Sequence, residues 1–515
     1  MGFFTELEKT ENVTFTENGD IAYRQILKAG NYKENLKFFG LGGAMRNDKN
    51  RARELFGRAF AENEALAIKN LFYLRDCRGG KGERDLFRVC LDHAAQAEPE
   101  KTGKILPFIL EYGRGDDLLG LVACSRTRKA ACSFIKASIE KDLERLDADK
   151  KISILAKWLP KPNATAEKKR RIARIIAENT GMTEREYRKT ISRLRSRLNL
   201  VETALTNRET HLDYPAMPSQ AMYKHSGHGS FFAKHRMNAF MRNDGEQFTI
   251  YKESLTSGKT SVNVTTLNPV QVYQRAFSDP EMAQAQWDEI EKRIPAADKR
   301  IILVRDGSGS MRGEPLDIAT SLTILASGKL SGEFKDKFIT FSSRPRLVDL
   351  KGCVSLAEKI ELCVREAECS NTDIEKTYDL ILETSKHCRP QDYITNVVVI
   401  SDMQFDMATY NFEYLFDPER IRGYVRKKTD QSTFNRAKRK FKEAGIPFPE
   451  MTFWNVDARE LSFPTDSIDG VRFVSGYSDA IYASVLEHGG VDAVEFMLAT
   501  LQKYDKCAKA WTGEE

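Results

Sequence analysis

Five short apolar runs constrain this chain more than any other feature. From Lys299 onward, IILV (301–304), FITF (338–341), NVVVIS (396–401), MTFWNV (451–456) and VRFVSG (471–476) follow one another, most of them separated by helical stretches. Continuous apolar strands alternating with helices predict a mostly parallel sheet covered on both faces. QSTFNRAKRKFKEAGIPFPE reads as a helix and turn leading to a strand, and VDAVEFMLATLQKYDK as a last helix. Residues 296–515 are therefore expected to form one doubly wound α/β domain.

Residues 1–295 read differently. There is little strand signal beyond the first residues, and NRARELFGRAFAENEALAIKNLFYLRD places Leu55, Phe56, Phe60, Leu66, Ile68, Leu71 and Phe72 at helical spacings. GERDLFRVCLDHAAQ and GKILPFILEYG continue the style with short breaks. Amphipathic helices joined by short connections suggest hairpins stacked as a HEAT-like solenoid, although no clean period is visible. This half is expected to be a second, all-α helical-repeat domain.

With 515 residues, 41% of them hydrophobic and 30% charged, the chain has room for more than one core and the balance of a water-exposed globular protein. No apolar run reaches the ~20 residues that span a bilayer. The start, MGFFTELEKTENVTF, lacks the basic and apolar regions of a secretory signal, and Glu6 stands where a myristoylation signal wants Ser or Thr. Nine scattered cysteines without a CxxC argue against disulfides and a structural zinc site, and for a reducing, cytoplasmic setting.

The first apolar run ends in ILVRDGSGSMRGEP, which sets Asp306, Ser308 and Ser310 at alternating positions. In an open parallel sheet, ligands bind outside the carboxyl ends of the strands, at the switch point. Asp402 lies at the same end of another run, in VVVISDMQFD, and SNTDIEK adds Thr372 at an expected helix start. Acids and hydroxyls without His or Cys make a hard oxygen site, suited to Mg²⁺ and less specifically to Mn²⁺ or Ca²⁺. The plainer alternative for any one position is a helix N-cap or turn residue. A dinucleotide site fits poorly, because Gly307, Gly309 and Gly313 do not make GxGxxG and no acid ends FITFSS. Taken together, the five positions resemble the metal-ion-dependent adhesion site of von Willebrand factor A-type domains. The resemblance implies a Rossmann-like fold. It also implies that Asp306, Ser308 and Ser310 are loop ligands, Thr372 a second-loop ligand and Asp402 a third-loop acid that binds through water.

In the helical half, residues 161–200 hold twelve Lys or Arg against four Glu, a local excess larger than the net +6 of the whole chain. Lys168, Lys169, Arg170 and Arg171 fall in one cluster. Arg185, Arg188, Lys189, Arg193, Arg195 and Arg197 sit on a predicted helix whose apolar side includes Ile191, Leu194 and Leu198. Such a helix packs one side and presents a positive face, either to phosphate backbones or simply to water. FYLRDCRGGKGERDLFR puts Arg75, Arg78, Lys81 and Arg84 around a glycine-rich turn, which reads equally as a phosphate-binding turn or a plain helix-to-helix connection. YKHSGHGSFFAKHRMNAFMRNDGEQF mixes His225, His228, His235 and Arg236 with Tyr223, Phe231, Phe232 and Phe240. No Cys pattern or HExxH supports zinc there, so the choice lies between stacking on single-stranded RNA and core packing.

The two halves together resemble the TROVE module proteins, the Ro autoantigen group, and more closely still an uncharacterised TROVE-like family. The stretches that carry this are AMRNDKNRARELFGRAFAENEALAIKNLFYLRDCRGGKGERDLFR, YGRGDDLL, HRMNAFMRNDGEQF, FITFSSRPRLVDLKG and VVVISDMQFD. The resemblance implies a ring of helical repeats that binds small structured or misfolded RNA, closed by the A-type domain. The chain departs from it at Arg305 and Gly307. The functional expectation is a non-catalytic RNA-binding protein whose metal site takes an acidic protein ligand, with no membrane partner. The alternative is a metal-dependent interaction adaptor without RNA. A hydrolase is disfavoured, since no His or Glu close in sequence offers a general base.

Overall fold

The computed structural model describes residues 8–9, 11–17, 20–227, 238–341, 344–366, 374–405, 433–487 and 490–514. The chain forms two compact units. One comprises Met1–Met45 and Ile294–Ala499, the other Arg46–Arg293 and Thr500–Glu515. The internal boundary falls beside the expected division at residue 295, but both termini belong to the opposite unit from the one that 1–295 and 296–515 would give them.

The first unit is built on a six-stranded sheet. A hairpin of β1 (Val13–Phe15) and β2 (Ile21–Tyr23) precedes it. The sheet strands are β3 (Ile301–Asp306), β4 (Lys337–Phe341), β5 (Leu347–Asp349), β6 (Asn396–Ser401), β7 (Glu450–Asn455) and β8 (Val471–Ser475). Their order is β5-β4-β3-β6-β7-β8, parallel throughout except for the antiparallel edge strand β5. This is the doubly wound α/β architecture expected, and all five apolar runs are strands in it. Every residue of β3, β6 and β8 is buried, because helices cover both faces. The short run LVD of β5 alternates exposed and buried, the mark of an edge, and is too brief to stand out in sequence.

The N-terminal segment joins this unit by close contact with β8. The helix Lys33–Leu41 packs against that strand, and a Cβ on Gly40 would lie 2.9 Å from the Phe473 Cβ, so only glycine permits the approach. Ser475 Oγ accepts from Gly43 N at 3.1 Å and donates to Phe39 O at 3.3 Å, while Tyr23 and Phe463 exchange backbone hydrogen bonds. Asp20 in the same segment is 3% exposed. Its Oδ2 accepts from Thr433 N at 3.3 Å, and its Oδ1 is buried without a hydrogen bond. Burial pushes its carboxyl up to about 6, against the pull of Thr433 and Arg436. A folded-state pKa above the unfolded value gives stability that is complete below pH ~4 and lost as pH rises through about 6. Asp20→Asn is therefore expected to remove a cost on the order of 2–3 kcal/mol at pH 8 and almost none at pH 4. Urea unfolding of both forms at the two pH values checks this, and an equal difference at both would refute it.

The second unit is helical among the described residues. The stretch 50–76 splits into Lys49–Glu62 and Glu64–Arg75 because Asn63 is extended and caps the second helix, its side chain accepting from Leu66 N at 2.9 Å. The seven apolar positions read from the sequence there are all buried. Helices near in sequence pack on one another along the unit, as expected of stacked hairpins. The terminal helix Asp505–Thr512 packs on Glu64–Arg75, with Trp511 edge-on to Phe60 at 5.7 Å and its Nε1 donating to Glu64 at 2.9 Å.

Candidate metal centre and nucleic-acid interface

In the α/β unit, β3 and β6 are adjacent and parallel, with Arg305 opposite Ile400, so Asp306 and Ser401–Asp402 leave the sheet side by side. They do so where the strand order reverses: β4 lies on one side of this pair and β7 on the other. Asp306 is fully buried, and its two oxygens are held apart in role. Oδ1 accepts from Ser308 N at 2.8 Å, and Oδ2 accepts from Ser401 Oγ at 2.6 Å. Ser308 Oγ lies 3.0 Å from Ser310 Oγ, on the turn that leads to the helix Glu314–Gly328. Asp402 is 1% exposed; its Oδ1 accepts from Gln404 N at 3.2 Å, and its Oδ2 is buried without a hydrogen bond. The chain turns at Met403 with φ 62°, a left-handed conformation that costs energy for a side-chain-bearing residue. Burial, and then the neighbouring Asp402, raise Asp306; burial raises Asp402 too, against Ser310, the Gln404 N–H and Arg459. Two costly carboxylates beside two hydroxyls, with one buried carboxylate oxygen that accepts no hydrogen bond, are a donor set that a hard cation fits. The structure thus brings together four of the five expected ligands, and Thr372 lies outside the described residues. No cluster of three His, Cys, Asp or Glu with metal-holding geometry occurs among the described residues, so this site depends on its hydroxyls.

Sequence reasoning missed Ser401, Arg459 and Asp457 here. Ser401 fixes the orientation of Asp306. Arg459 reaches in from the connection between β7 and β8: its Nε is 3.8 Å from Asp402 Oδ2 and 3.3 Å from Asp457 Oδ2, and its Nη2 donates to Ser310 O. Only Ser401, next to Asp402, carried any local signal. Arg305, a departure from the resembled family, is buried in the sheet and donates to Thr320 Oγ1 and to Cys363 O, both at 3.1 Å. It serves packing on the helix side and leaves the ligands in place.

In the helical unit, the basic stretch forms two helices, Glu167–Thr180 and Glu184–Arg197, with a left-handed Gly181 (φ 75°) ending the first and a Thr183–Glu186 capping box opening the second. Their buried sides are Ile172, Ala173, Ile176 and Ala177, then Tyr187, Ile191 and Leu194. Lys168, Lys169, Arg171, Arg185, Arg188 and Lys189 are exposed on the other sides. Four expected contact residues are engaged elsewhere. Arg195 donates to the carbonyls of Ala156, Lys157 and Leu159 and so caps the helix Leu155–Trp158. Arg170 donates to the carbonyls of Ala164 and Thr165, Arg193 pairs with Asp147, and Arg197 pairs with Asp149 at 2.7 Å. A groove of about 1400 Å³ runs beside these helices, lined among others by Trp158, Lys161, Lys168, Lys169 and Arg88.

The glycine-rich turn is a connection whose backbone donors are largely committed inward. The N–H groups of Gly80, Lys81, Gly82 and Glu83 donate to the carbonyls of Asp76, Tyr73, Asp76 and Leu74, closing the end of the helix Glu64–Arg75. Lys81 is 2% exposed, and burial pushes its ammonium down to about 7, so it is unavailable as a phosphate contact. Arg78 donates to Glu111 O at 3.3 Å, and Arg84 pairs with Asp85 at 3.1 Å on the surface. His235, Arg236, His228, Phe231 and Phe232 lie outside the described residues. Tyr223 and Phe240 are buried, and the His225 ring lies edge-on to Phe240, which is core packing.

The motif YGRGDDLL builds the wall of the groove. Asp117 is buried and accepts from Arg75 Nε at 2.8 Å, Arg88 Nε at 2.7 Å and Arg114 N at 3.0 Å. A Cβ on Gly113 would meet Asp117 Oδ2 at 2.7 Å, so glycine is required beside it. Arg114 lies over the Trp158 ring at 4.3 Å and pairs with Asp116. Against burial, Arg114 and Arg88 hold the Asp116 carboxyl below its usual range.

With this geometry in hand, two family matches can be placed. Residues 300–512 match a domain of unknown function, DUF7788, and residues 131–300 match another, DUF2828. An uncharacterized protein of Acanthamoeba polyphaga mimivirus is 28% identical over 538 residues, covering 96% of this chain and 88% of its own length. The crystal structure of the Ro (RSR) protein of Deinococcus radiodurans aligns over 94% of this chain and 100% of its own, with 13% identity and a TM-score of 0.39. A likeness that low does not establish a common arrangement. The fold class stands on the sheet order and helices described above.

Proposed function

We propose that this chain binds structured RNA through its helical unit without catalysing a reaction, and that the crevice of its α/β unit holds Mg²⁺ for an acidic group of a protein partner. The observation that carries the RNA reading is the set of exposed cations on the helices Glu167–Thr180 and Glu184–Arg197, whose opposite faces are buried. A positive surface pinned in place by its own core is what a phosphate backbone meets. The TROVE resemblance of the sequence points the same way. The metal reading rests on the buried Asp402 Oδ2, which accepts no hydrogen bond and has only the distant Arg459 at 3.8 Å, beside Asp306 and the two serine hydroxyls. Mn²⁺ or Ca²⁺ are lesser candidates for the same donors. The eight described cysteines are all free, in keeping with a cytoplasmic, reducing setting, and no helix among the described residues is long and apolar enough to cross a membrane.

Replacing Lys168, Lys169, Arg171 and Arg185 with Glu is expected to weaken binding to unrelated structured RNAs about equally. Each lost contact should flatten the slope of log affinity against log salt by roughly 0.7–0.9. Filter binding at graded KCl measures both. Unchanged affinity and slope would return these helices to a solvated face and favour the adaptor alternative.

A further inference from the structure

The stretch Leu159–Pro162 is stapled to the helix Glu184–Arg197. Tyr187 donates to Pro160 O at 3.1 Å, and Arg195 donates to Leu159 O at 2.7 Å and to the carbonyls of Ala156 and Lys157. Both anchors are held from the helix side, since Tyr187 is fully buried. The staple forces Lys161 onto the part of the helix that carries Arg188, Lys189 and Ser192, and these residues with Asn163 line a pocket of about 380 Å³. Among the described residues no carboxylate lines it. The nearby acids are committed elsewhere: Glu184 pairs with Arg174, Glu186 closes the capping box on Thr183, and Asp147 and Asp149 hold Arg193 and Arg197. Burial first, and then the neighbouring Arg195 and Arg188, lower the Lys161 ammonium from its ordinary range. Ser192 donates to Arg188 O at 2.8 Å, so its hydroxyl is lining and the donors are the three cations and the Asn163 amide.

Three clustered cations with an amide and no acid match a tetrahedral oxyanion. The pocket shares Lys161, Asn163 and Ser192 with the large groove. We propose that Lys161, Arg188, Lys189 and Asn163 form a built phosphate site that takes one phosphodiester of an RNA whose adjacent nucleotides lie in the groove. This deepens the RNA reading and rests on it.

The test uses the full chain, a fluorescein-labelled RNA hairpin and, separately, inorganic phosphate. Lys161→Ala/Arg188→Ala/Lys189→Ala is compared with Lys136→Ala/Lys141→Ala/Lys150→Ala, exposed cations outside the proposed RNA surface, which removes equal charge from the same unit. The pocket variant is expected to weaken RNA binding by about tenfold or more, with a salt slope flattened by roughly two, and the control triple by clearly less. Phosphate should raise the melting temperature of the wild type and of the control but not of the pocket variant. Equal losses of RNA affinity in the two triples, with no phosphate stabilisation of the wild type, would overturn the pocket while leaving a diffuse RNA-binding surface. Phosphate stabilisation that vanishes in the pocket variant, in a chain that binds no RNA, would overturn the RNA assignment and leave a site for the free anion.

Discussion

Asp306→Ala abolishes the rise in melting temperature that Mg²⁺ produces in the wild-type chain: this is the largest metal-linked effect expected. A ligand that binds only the folded state stabilises it by about 2.7 kcal/mol at a hundredfold excess over its Kd. For a unit of this size that corresponds to a shift of about 5–10 °C. Asp306 supplies formal charge at the centre of the donor set, whereas Ser308 and Ser310 supply only dipoles, so its loss removes most of the attraction for a dication. The alanine variant also loses the acceptor for Ser401 Oγ and Ser308 N. Asp306→Asn keeps an acceptor there and separates the loss of charge from local collapse. Both variants should remain folded, show no Mg²⁺-dependent shift and keep wild-type RNA affinity, because the proposed RNA contacts belong to the helical unit. Differential scanning calorimetry with EDTA and with Mg²⁺ measures this. An unchanged metal-induced shift in either folded variant would remove the metal assignment.

Asp117→Ala is expected to have the largest effect on stability, about 3–5 kcal/mol in the helical unit, because it leaves buried positive charge without its partner. The Arg75 side chain is 4% exposed and that of Asp117 fully buried, so water cannot replace the lost carboxylate. Arg88 also loses a partner, although it keeps Asp116 at 2.8 Å. The unfolding transition of the helical unit should fall by about 10 °C. Asp117→Asn retains the shape and one acceptor and should cost less than the alanine. Thermal and urea unfolding followed by circular dichroism would check the pair. A loss below about 1 kcal/mol for Asp117→Ala would mean that Arg75 finds another acceptor in the folded state.

The motif that holds Asp117 was visible in the sequence as a resemblance, and its physical purpose was not. YGRGDDLL joins Asp117 to Arg75 and Arg88, forty-two and twenty-nine residues away, and no local pattern announces such pairs. The same distinction separates the cations of residues 161–200. Their helices, caps and buried sides follow from 3.6-residue periodicity, Gly181 and the Thr183–Glu186 box, so the segment's structure was legible. Which arginines remain available was not, since Arg193, Arg195 and Arg197 are claimed by acids and carbonyls of other segments.

In the α/β unit the sequence by itself determined five of the six sheet strands, their parallel sense and the chemistry at their ends, because a strand buried on both faces must be apolar throughout and its polar exit then stands out. It also determined that Asp306 and Asp402 occupy equivalent strand ends. Only the tertiary structure decided that β3 and β6 are neighbours at the point of reversal, that Ser401 and Arg459 join the two acids, and that the termini belong to the units they do. Those outcomes depend on contacts between residues hundreds of positions apart, such as Gly40 against Phe473 and Tyr504 donating to Asp76. Periodicity reports which side of an element seeks cover. It carries no information on which distant element supplies it, because any apolar surface of the right shape satisfies the same hydrophobic demand.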